Sequence, residues 1–121
     1  MSKRNEKAIP QDILANINAI PDFTKGMNWD QFSKDLKTQY AVDRSFEIIG
    51  EATRQLPEDF MQEHTHIEWN KMIAFRNLLI HEYVNVEREI EWNIIQNTLP
   101  ALKQKIEGLY QQLFNTVLKC Q

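Results

Sequence analysis

Four polar side chains with chemical potential lie close together in the segment from residue 76 to residue 83: Arg76, Asn77, His81 and Tyr83. An arginine can hold a phosphate through a bidentate fork, and a histidine titrates near neutral pH and can move a proton. This pair of residue types suits transesterification of RNA, in which a 2′-hydroxyl attacks the adjacent phosphate without a metal ion. The segment is therefore a candidate catalytic site.

Helical spacing constrains how these side chains meet. At about 100° per residue, Asn77 and His81 share a helix face, whereas Arg76 and His81 are about 140° apart. Arg76 and His81 therefore converge on one substrate only if the helix ends between them or if a second subunit completes the site. Arginine and histidine near a helix C-terminus more often serve the helix dipole and solvation, so spacing alone does not establish catalysis.

The preceding sequence predicts two helices. The chain has few glycines and prolines and no Asn-Gly or Asp-Gly turn, which disfavours β-hairpins. Pro10 suits the first turn of a helix that Pro21 stops. A capping box at Asn28 predicts a second, long helix from Trp29 to the residue before Pro57. The expected inward-facing residues of these two helices are Ile13, Leu14, Ile17, Ile20, Phe32, Leu36, Tyr40, Phe46, Ile49 and Leu56. Gly50 marks a point in the long helix where the chain bends or another element approaches closely.

The remaining sequence predicts two or three further helices. A polar connection over 58–68 leads to a third helix, which carries residues 76–81. Asn85 is the expected N-cap of a fourth helix that buries Ile90, Ile94 and Ile95. Pro100 either kinks this helix or begins a fifth. The chain is therefore expected to be one all-α domain over residues 1–121, a bundle of four to five helices.

Composition and charge exclude several classes of protein. The net charge of −3 disfavours a protein that coats nucleic acid with its whole surface. No apolar run approaches the length of a membrane span, and residues 1–8 are too polar for a secretory signal, so a cytoplasmic location is expected. Cys120, the single cysteine, offers neither an internal disulfide nor a cysteine metal site.

Other residues have simpler explanations than catalysis. His64 and His66 lack further ligands at a recognisable spacing, so we expect neither a metal nor another cofactor. The three tryptophans, Trp29, Trp69 and Trp92, are expected to be core or interface anchors. Four cations could add positive potential near the site, although solvated charges are the default for such residues: Arg44, Arg54, Lys71 and Arg88.

Residues 76–83, R-N-L-L-I-H-E-Y, resemble the R-x-x-x-x-H-x-Y motif of HEPN domains, in particular the HepT-like toxins that are paired with minimal nucleotidyltransferases. Further segments fit the same family: residues 35–52 with Ile48-Ile49-Gly50-Glu51-Ala52, residues 67–69, Trp92, and Leu99-Pro100-Ala101-Leu102. The resemblance covers about residues 10–113, and this combination is more specific than the octapeptide alone.

The resemblance implies a HEPN-like helical bundle, a homodimer with a shared cleft, and metal-independent cleavage of RNA. It assigns Arg76 and His81 as the catalytic pair and Asn77 as their polar neighbour. It also implies that Tyr83 is the residue that a nucleotidyltransferase antitoxin modifies by transfer of AMP. The alternative is a catalytically inactive HEPN module that binds nucleotides or such a partner, because fold does not decide function.

Overall fold

The computed structural model describes the backbone of residues 5–81 and 87–119 and the side chains of residues 8–79 and 87–113. Within these ranges the secondary structure is helical: α1 (Asn5–Phe23), α2 (Trp29–Lys34), α3 (Leu36–Arg54), α4 (Glu58–Glu63), α5 (Trp69–His81), α6 (Arg88–Asn93), a π-helical segment (Ile94–Thr98) and α7 (Leu99–Lys119). The all-α prediction is confirmed. The expected helices correspond to α1, to α2 and α3 together, to α5, to α6 and to α7, and the short α4 forms within the predicted connection.

The long helices form the body of the bundle. Helix α3 packs against α1 on one side and against α5 on another, and α7 packs against α1. The core between them is built from aliphatic and aromatic side chains, including Ile13, Ile17, Phe32, Ile49 and Ile106. Helix α3 therefore connects the core of the domain to the helix that carries Arg76.

The first helix is longer than the prolines predict. Helix α1 begins before Pro10 and ends after Pro21, so neither proline bounds it. Pro10 is buried, and the isoleucines that follow it are fully buried as expected. Burial of this apolar face offsets the backbone hydrogen bond that an interior proline removes.

The predicted long second helix is divided at Asp35. Its start is confirmed, because the Asn28 side chain accepts a hydrogen bond from the Gln31 backbone, at 2.9 Å, and the Gln31 side chain accepts one from the Asn28 backbone. Asp35 then ends α2 and caps α3, where its carboxylate accepts a hydrogen bond from the Thr38 backbone N–H at 3.0 Å. A second N-cap inside an apolar stripe therefore starts a new helix.

Three predicted core assignments fail, two of them at the start of α3, directly after this division. Leu36 and Tyr40, at the start of α3, are 55% and 61% exposed instead of buried. In α6, Ile90 is 49% exposed, and its neighbour Glu91 is fully buried in its place. Ile95 is buried as expected, Ile94 packs against the core, and Trp29, Trp69 and Trp92 pack into or against it, so their anchor role is confirmed.

The predicted kink or fifth helix at Pro100 takes the form of a π-helical segment followed directly by α7. The backbone N–H of Leu99 donates to the carbonyl oxygen of Ile94, five residues earlier. Pro100 thus lies in the first turn of α7, where a missing N–H is tolerated. The expected N-cap Asn85 lies outside the described residues, and α6 begins at Arg88 after Glu87. None of the described helices is both long and apolar enough to cross a membrane.

Candidate active site

The candidate site lies where α3 crosses α5. Gly50 of α3 is buried directly against the Arg76 side chain and the backbone of Met72, so the two helices approach closely. This confirms the close approach that the sequence predicts at Gly50. The edge-to-face contact of Phe46 with Phe75, whose ring centroids are 4.8 Å apart, packs the same pair of helices. The position of Arg76 is therefore set by the packing of two helices.

Two neighbours hold the guanidinium of Arg76. Its Nη1 donates to the side-chain oxygen of Asn77 at 2.9 Å, and its Nη2 lies 2.8 Å from a carboxylate oxygen of Glu51. The Arg76 side chain is 18% exposed, and its buried Nε has no hydrogen-bond partner among the described residues. Because Nε is buried, a ligand that hydrogen-bonds to this guanidinium would do so at Nη1 or Nη2, beside Asn77 and Glu51.

The structure brings Arg76 and Asn77 together. It also tests whether the helix ends between Arg76 and His81, one of the two ways in which these residues could meet at one substrate. Helix α5 is continuous from Trp69 to His81, so it does not end between Arg76 and His81. Their angular separation of about 140° around the helix axis therefore stands. The side chain of His81 and the whole of Tyr83 lie outside the described residues. The second alternative, a site completed by another subunit, stays a prediction.

Sequence analysis did not single out Glu51 as a site residue. Its side chain is half exposed and lies on α3, far from Arg76 in the sequence. Besides Arg76, it faces Arg54 at 3.8 Å. The sequence feature that could have indicated Glu51 is Gly50, the residue before it. A glycine that lets a neighbouring helix approach also brings the adjacent residues of its own helix toward that neighbour.

A second polar cluster links α3 to α6. It consists of Asp43 on α3 and of Arg88 and Glu91 on α6. Nη1 of Arg88 donates to Asp43 at 2.7 Å and to Glu91 at 2.8 Å. The other carboxylate oxygen of Glu91 is buried and has no partner among the described residues. Burial raises the pKa of Glu91 to about 9; the neighbouring Asp43 carboxylate acts in the same direction, and Arg88 opposes the shift. Glu91 is therefore protonated at neutral pH.

The four cations considered as sources of positive potential each have an acidic partner. Arg88 contacts Asp43 and Glu91, and ion pairs join Arg44 to Glu47, Arg54 to Glu51 and Lys71 to Glu68. The exposed pairs, those of Arg44, Arg54 and Lys71, have little net field and contribute little to stability. Arg76, in turn, is held by Asn77 and Glu51 where two helices pack closely.

The two loop histidines are not part of this arrangement. The ring of His64 packs against Phe60, with centroids 4.7 Å apart, and lies near His66. Burial lowers the pKa of His64, the charge of His66 adds to this effect, and Glu63 opposes it. Within the described part of the chain, no group of three or more potential metal ligands comes together.

Comparison with known proteins identifies the family. The profile of the family described as Ribonuclease HepT-like matches residues 13–109. A candidate RNase of Methanocaldococcus jannaschii is 42% identical over 113 residues, which cover 93% of each chain. The probable ribonuclease HepT of Thermococcus cleftensis is 40% identical over 107 residues, 88% of this chain and 97% of that protein. A candidate RNase of Caldanaerobacter subterraneus is 33% identical over 102 residues, 84% of this chain and 91% of that protein.

No solved structure shows a significant match to this chain. The profile match spans most of the chain, and the relatives align over nearly their whole lengths. The protein belongs to the HepT-like ribonuclease family.

Proposed function

We propose that this protein is the toxin of a toxin–antitoxin pair and acts as a metal-independent endoribonuclease, with Arg76 and His81 as its catalytic residues. The observation that carries the proposal is the position of Arg76, which lies in the segment that resembles the HEPN motif. Asn77 of the same segment and Glu51 of α3 hold its guanidinium at the Nη end. A guanidinium restrained in this way is suited to bind a phosphate and to stabilise the charge that develops on it.

In this mechanism Arg76 binds the scissile phosphate and His81 transfers a proton. The 2′-hydroxyl of the substrate gives its proton to a base and attacks the adjacent phosphorus, the bond from phosphorus to the 5′-oxygen breaks, and His81 as imidazolium protonates the departing oxygen. The products are a 2′,3′-cyclic phosphate and a free 5′-hydroxyl. No step requires a metal ion, because the arginine supplies the positive charge.

A homodimer is part of the proposal. Because α5 is continuous through His81, one helix does not by itself direct Arg76 and His81 toward a single phosphate. Leu36 and Tyr40 add an exposed apolar patch at the start of α3, on the same helix face as Glu51. A second copy that covered this face would both bury the patch and contribute to the cleft. Light scattering should therefore give a dimer at micromolar concentration.

The regulatory part of the proposal is transfer of AMP to Tyr83 by a nucleotidyltransferase antitoxin. Its support is the likeness of residues 76–83 to the motif of the HepT-like toxins, in which a tyrosine follows the histidine by two residues. An alternative function, a catalytically inactive module that binds nucleotides or a partner, is favoured by the net charge of −3 and by the pairing of Arg76 with Glu51.

Cleavage of RNA by the purified protein, with and without a chelator, separates these functions. The wild-type protein should release 2′,3′-cyclic phosphate ends at the same rate in both conditions. His81→Ala should lower the rate about 10²- to 10⁴-fold, the usual range for loss of a general acid or base, without loss of helicity. His66→Ala, at an exposed histidine outside the motif, is the matched control. A wild-type protein that leaves RNA intact would contradict the ribonuclease and favour the binding module.

A further inference from the structure

The proposed reaction needs a second proton-transfer group beside Arg76. Attack by a 2′-hydroxyl requires a base, and departure of the 5′-oxygen requires an acid. A single histidine can serve one of these roles at the moment of reaction, and an arginine remains protonated in proteins. The structure describes one carboxylate in contact with Arg76, that of Glu51, with 2.8 Å between its oxygen and Nη2.

We propose that Glu51 is the general base of this site, the group that accepts the proton of the attacking 2′-hydroxyl. The inference rests on the proposed ribonuclease function. The Glu51 carboxylate takes the 2′-hydroxyl proton, the 2′-oxygen forms its bond to phosphorus, the bond to the 5′-oxygen breaks, and His81 gives its proton to that oxygen. The carboxylic acid of Glu51 and the imidazole of His81 then return to their starting forms by exchange with water.

Access to Arg76 places the substrate next to this carboxylate. The Nε of Arg76 is buried, so a phosphate must bind at the Nη end of the guanidinium. Glu51 is 50% exposed at that same end and is therefore open to the substrate. A phosphate that contacts Nη2 brings the adjacent ribose within reach of a carboxylate that contacts the same nitrogen.

The repulsion between Glu51 and a phosphate bound to Arg76 is stronger in the ground state than in the transition state. A phosphate bound to Arg76 brings a negative charge beside Glu51, which repels the ionised carboxylate and makes it a stronger base. Uptake of the 2′-hydroxyl proton removes that repulsion as the reaction proceeds. The interaction thus improves on the way to the transition state, which is the condition for accelerating the chemical step.

Glu51→Gln tests the proposal, because the amide keeps an oxygen acceptor for Arg76 but cannot accept the proton. We expect kcat to fall about 10²- to 10⁴-fold while KM stays unchanged or decreases, since a repulsive charge is removed. The acidic limb of the pH profile of kcat/KM should disappear in Glu51→Gln and persist in Glu51→Asp, which retains a carboxylate. The charged groups that face Glu51 in this titration are Arg76 and Arg54.

A substrate with a nitrophenolate leaving group separates the base from the acid. This leaving group departs without a proton, so an RNA mimic that carries it should restore much of the rate of His81→Ala and leave the defect of Glu51→Gln in place. Glu47→Gln is the matched control, because Glu47 lies one turn earlier on α3 and pairs with Arg44. Its kinetics should equal those of the wild-type protein.

Any of four results would overturn the assignment. A raised KM at unchanged kcat would show that Glu51 only positions Arg76, and a lowered KM at unchanged kcat would show that it only competes with the phosphate. Wild-type kinetics in Glu51→Gln would remove any role. If Glu51→Gln melts at a lower temperature than the wild-type protein, its kinetics do not separate catalysis from folding, and Glu51→Asp is the deciding variant. A pH profile of kcat/KM without an acidic limb in Glu51→Asp would contradict the proposal. RNA that the wild-type protein leaves intact refutes the proposed function itself, before any variant is measured.

Discussion

Gly50 and Arg76 pack so closely that a Cβ atom on Gly50 would lie 2.1 Å from the Cβ of Arg76 and 2.8 Å from its Cγ. Atoms this close to the backbone of α5 cannot rotate out of the way, so a side chain at position 50 must separate α3 from α5. The glycine therefore sets the distance between Arg76 and the carboxylate of Glu51, one residue after it.

Gly50→Ala should destabilise the domain by about 1–3 kcal/mol, the usual cost of overpacking a close contact. It should also lower RNA cleavage, because the shift moves Arg76 relative to Glu51. Thermal melting and a cleavage assay measure the two effects. Gly108→Ala is the control, since no atom lies within 4 Å of a Cβ there and alanine favours a helix by about 0.5–1 kcal/mol over glycine. Equal stability of both variants would contradict the packing argument.

The Gly50 contact also shows what the sequence could predict. Helical periodicity and the Asn28 capping box identify the helices, because these signals depend on residues within a turn or two of each other. Gly50 indicates that another element approaches closely, but the partner at that contact, Arg76, belongs to a different helix. The Glu51 carboxylate beside Arg76 follows only once the two helices are packed, which is why sequence analysis missed it.

Two incorrect predictions, an undivided second helix and a buried Ile90, also depend on contacts that periodicity does not reveal. Asp35 lies in an uninterrupted apolar stripe, and only its cap on Thr38 shows that the helix restarts there. In α6, the sequence favours burial of Ile90, an apolar residue, over Glu91, a charged one. The neutral form of Glu91 and the contacts of Arg88 with Asp43, 45 residues earlier in the chain, make the reverse arrangement stable.

The buried Glu91 should make stability depend on pH. Its pKa is raised from 4.5 to about 9 in the folded protein, so between these values the folded state holds a proton that the unfolded state has released. The resulting stabilisation is complete below the unfolded pKa and is lost as pH rises through the folded pKa. The melting temperature of the wild-type protein should therefore fall between pH 5 and pH 9.

Glu91→Gln should flatten this dependence, because the amide mimics the protonated acid and never ionises. We expect the melting temperature of the variant to fall less between pH 5 and pH 9 than that of the wild-type protein. The two decreases should differ by about 2–8 °C for each kcal/mol of pH-dependent stability that the substitution removes. Glu89→Gln, at an exposed position of the same helix, should keep the wild-type slope. Parallel melting curves for Glu91→Gln and the wild-type protein would contradict a buried, protonated Glu91.

Arg76→Lys should leave the protein folded and strongly impair RNA cleavage. A lysine retains the charge but cannot hold the Asn77 oxygen, Glu51 and a phosphate with a single planar group, as the guanidinium does. Cleavage rates and melting temperatures distinguish loss of function from loss of fold. Arg44→Lys, on the exposed surface of α3, is the control with the same chemical change. Near-normal activity of Arg76→Lys would show that charge alone is needed at this position.

Tyr83→Phe should keep much of the ribonuclease activity but escape the antitoxin. Under the proposed regulation, the tyrosine hydroxyl is the acceptor of AMP, and phenylalanine removes the acceptor while it preserves the ring. Co-expression with the nucleotidyltransferase should silence the wild-type protein and add the mass of AMP to it. The phenylalanine variant should gain no mass and should continue to arrest growth.

The size of the expected effect follows from the charge that the modification adds. At a separation of about 5 Å and an effective dielectric constant near 20, one phosphodiester charge repels the phosphate of bound RNA by about 3 kcal/mol. That repulsion alone corresponds to more than about a hundredfold loss of affinity, before any steric exclusion by the nucleotide. Binding of a non-cleavable 2′-deoxy oligonucleotide to the modified and unmodified His81→Ala protein measures this loss directly. If the nucleotidyltransferase silences Tyr83→Phe without adding AMP, control passes through the protein contact, and Tyr83 is not the switch.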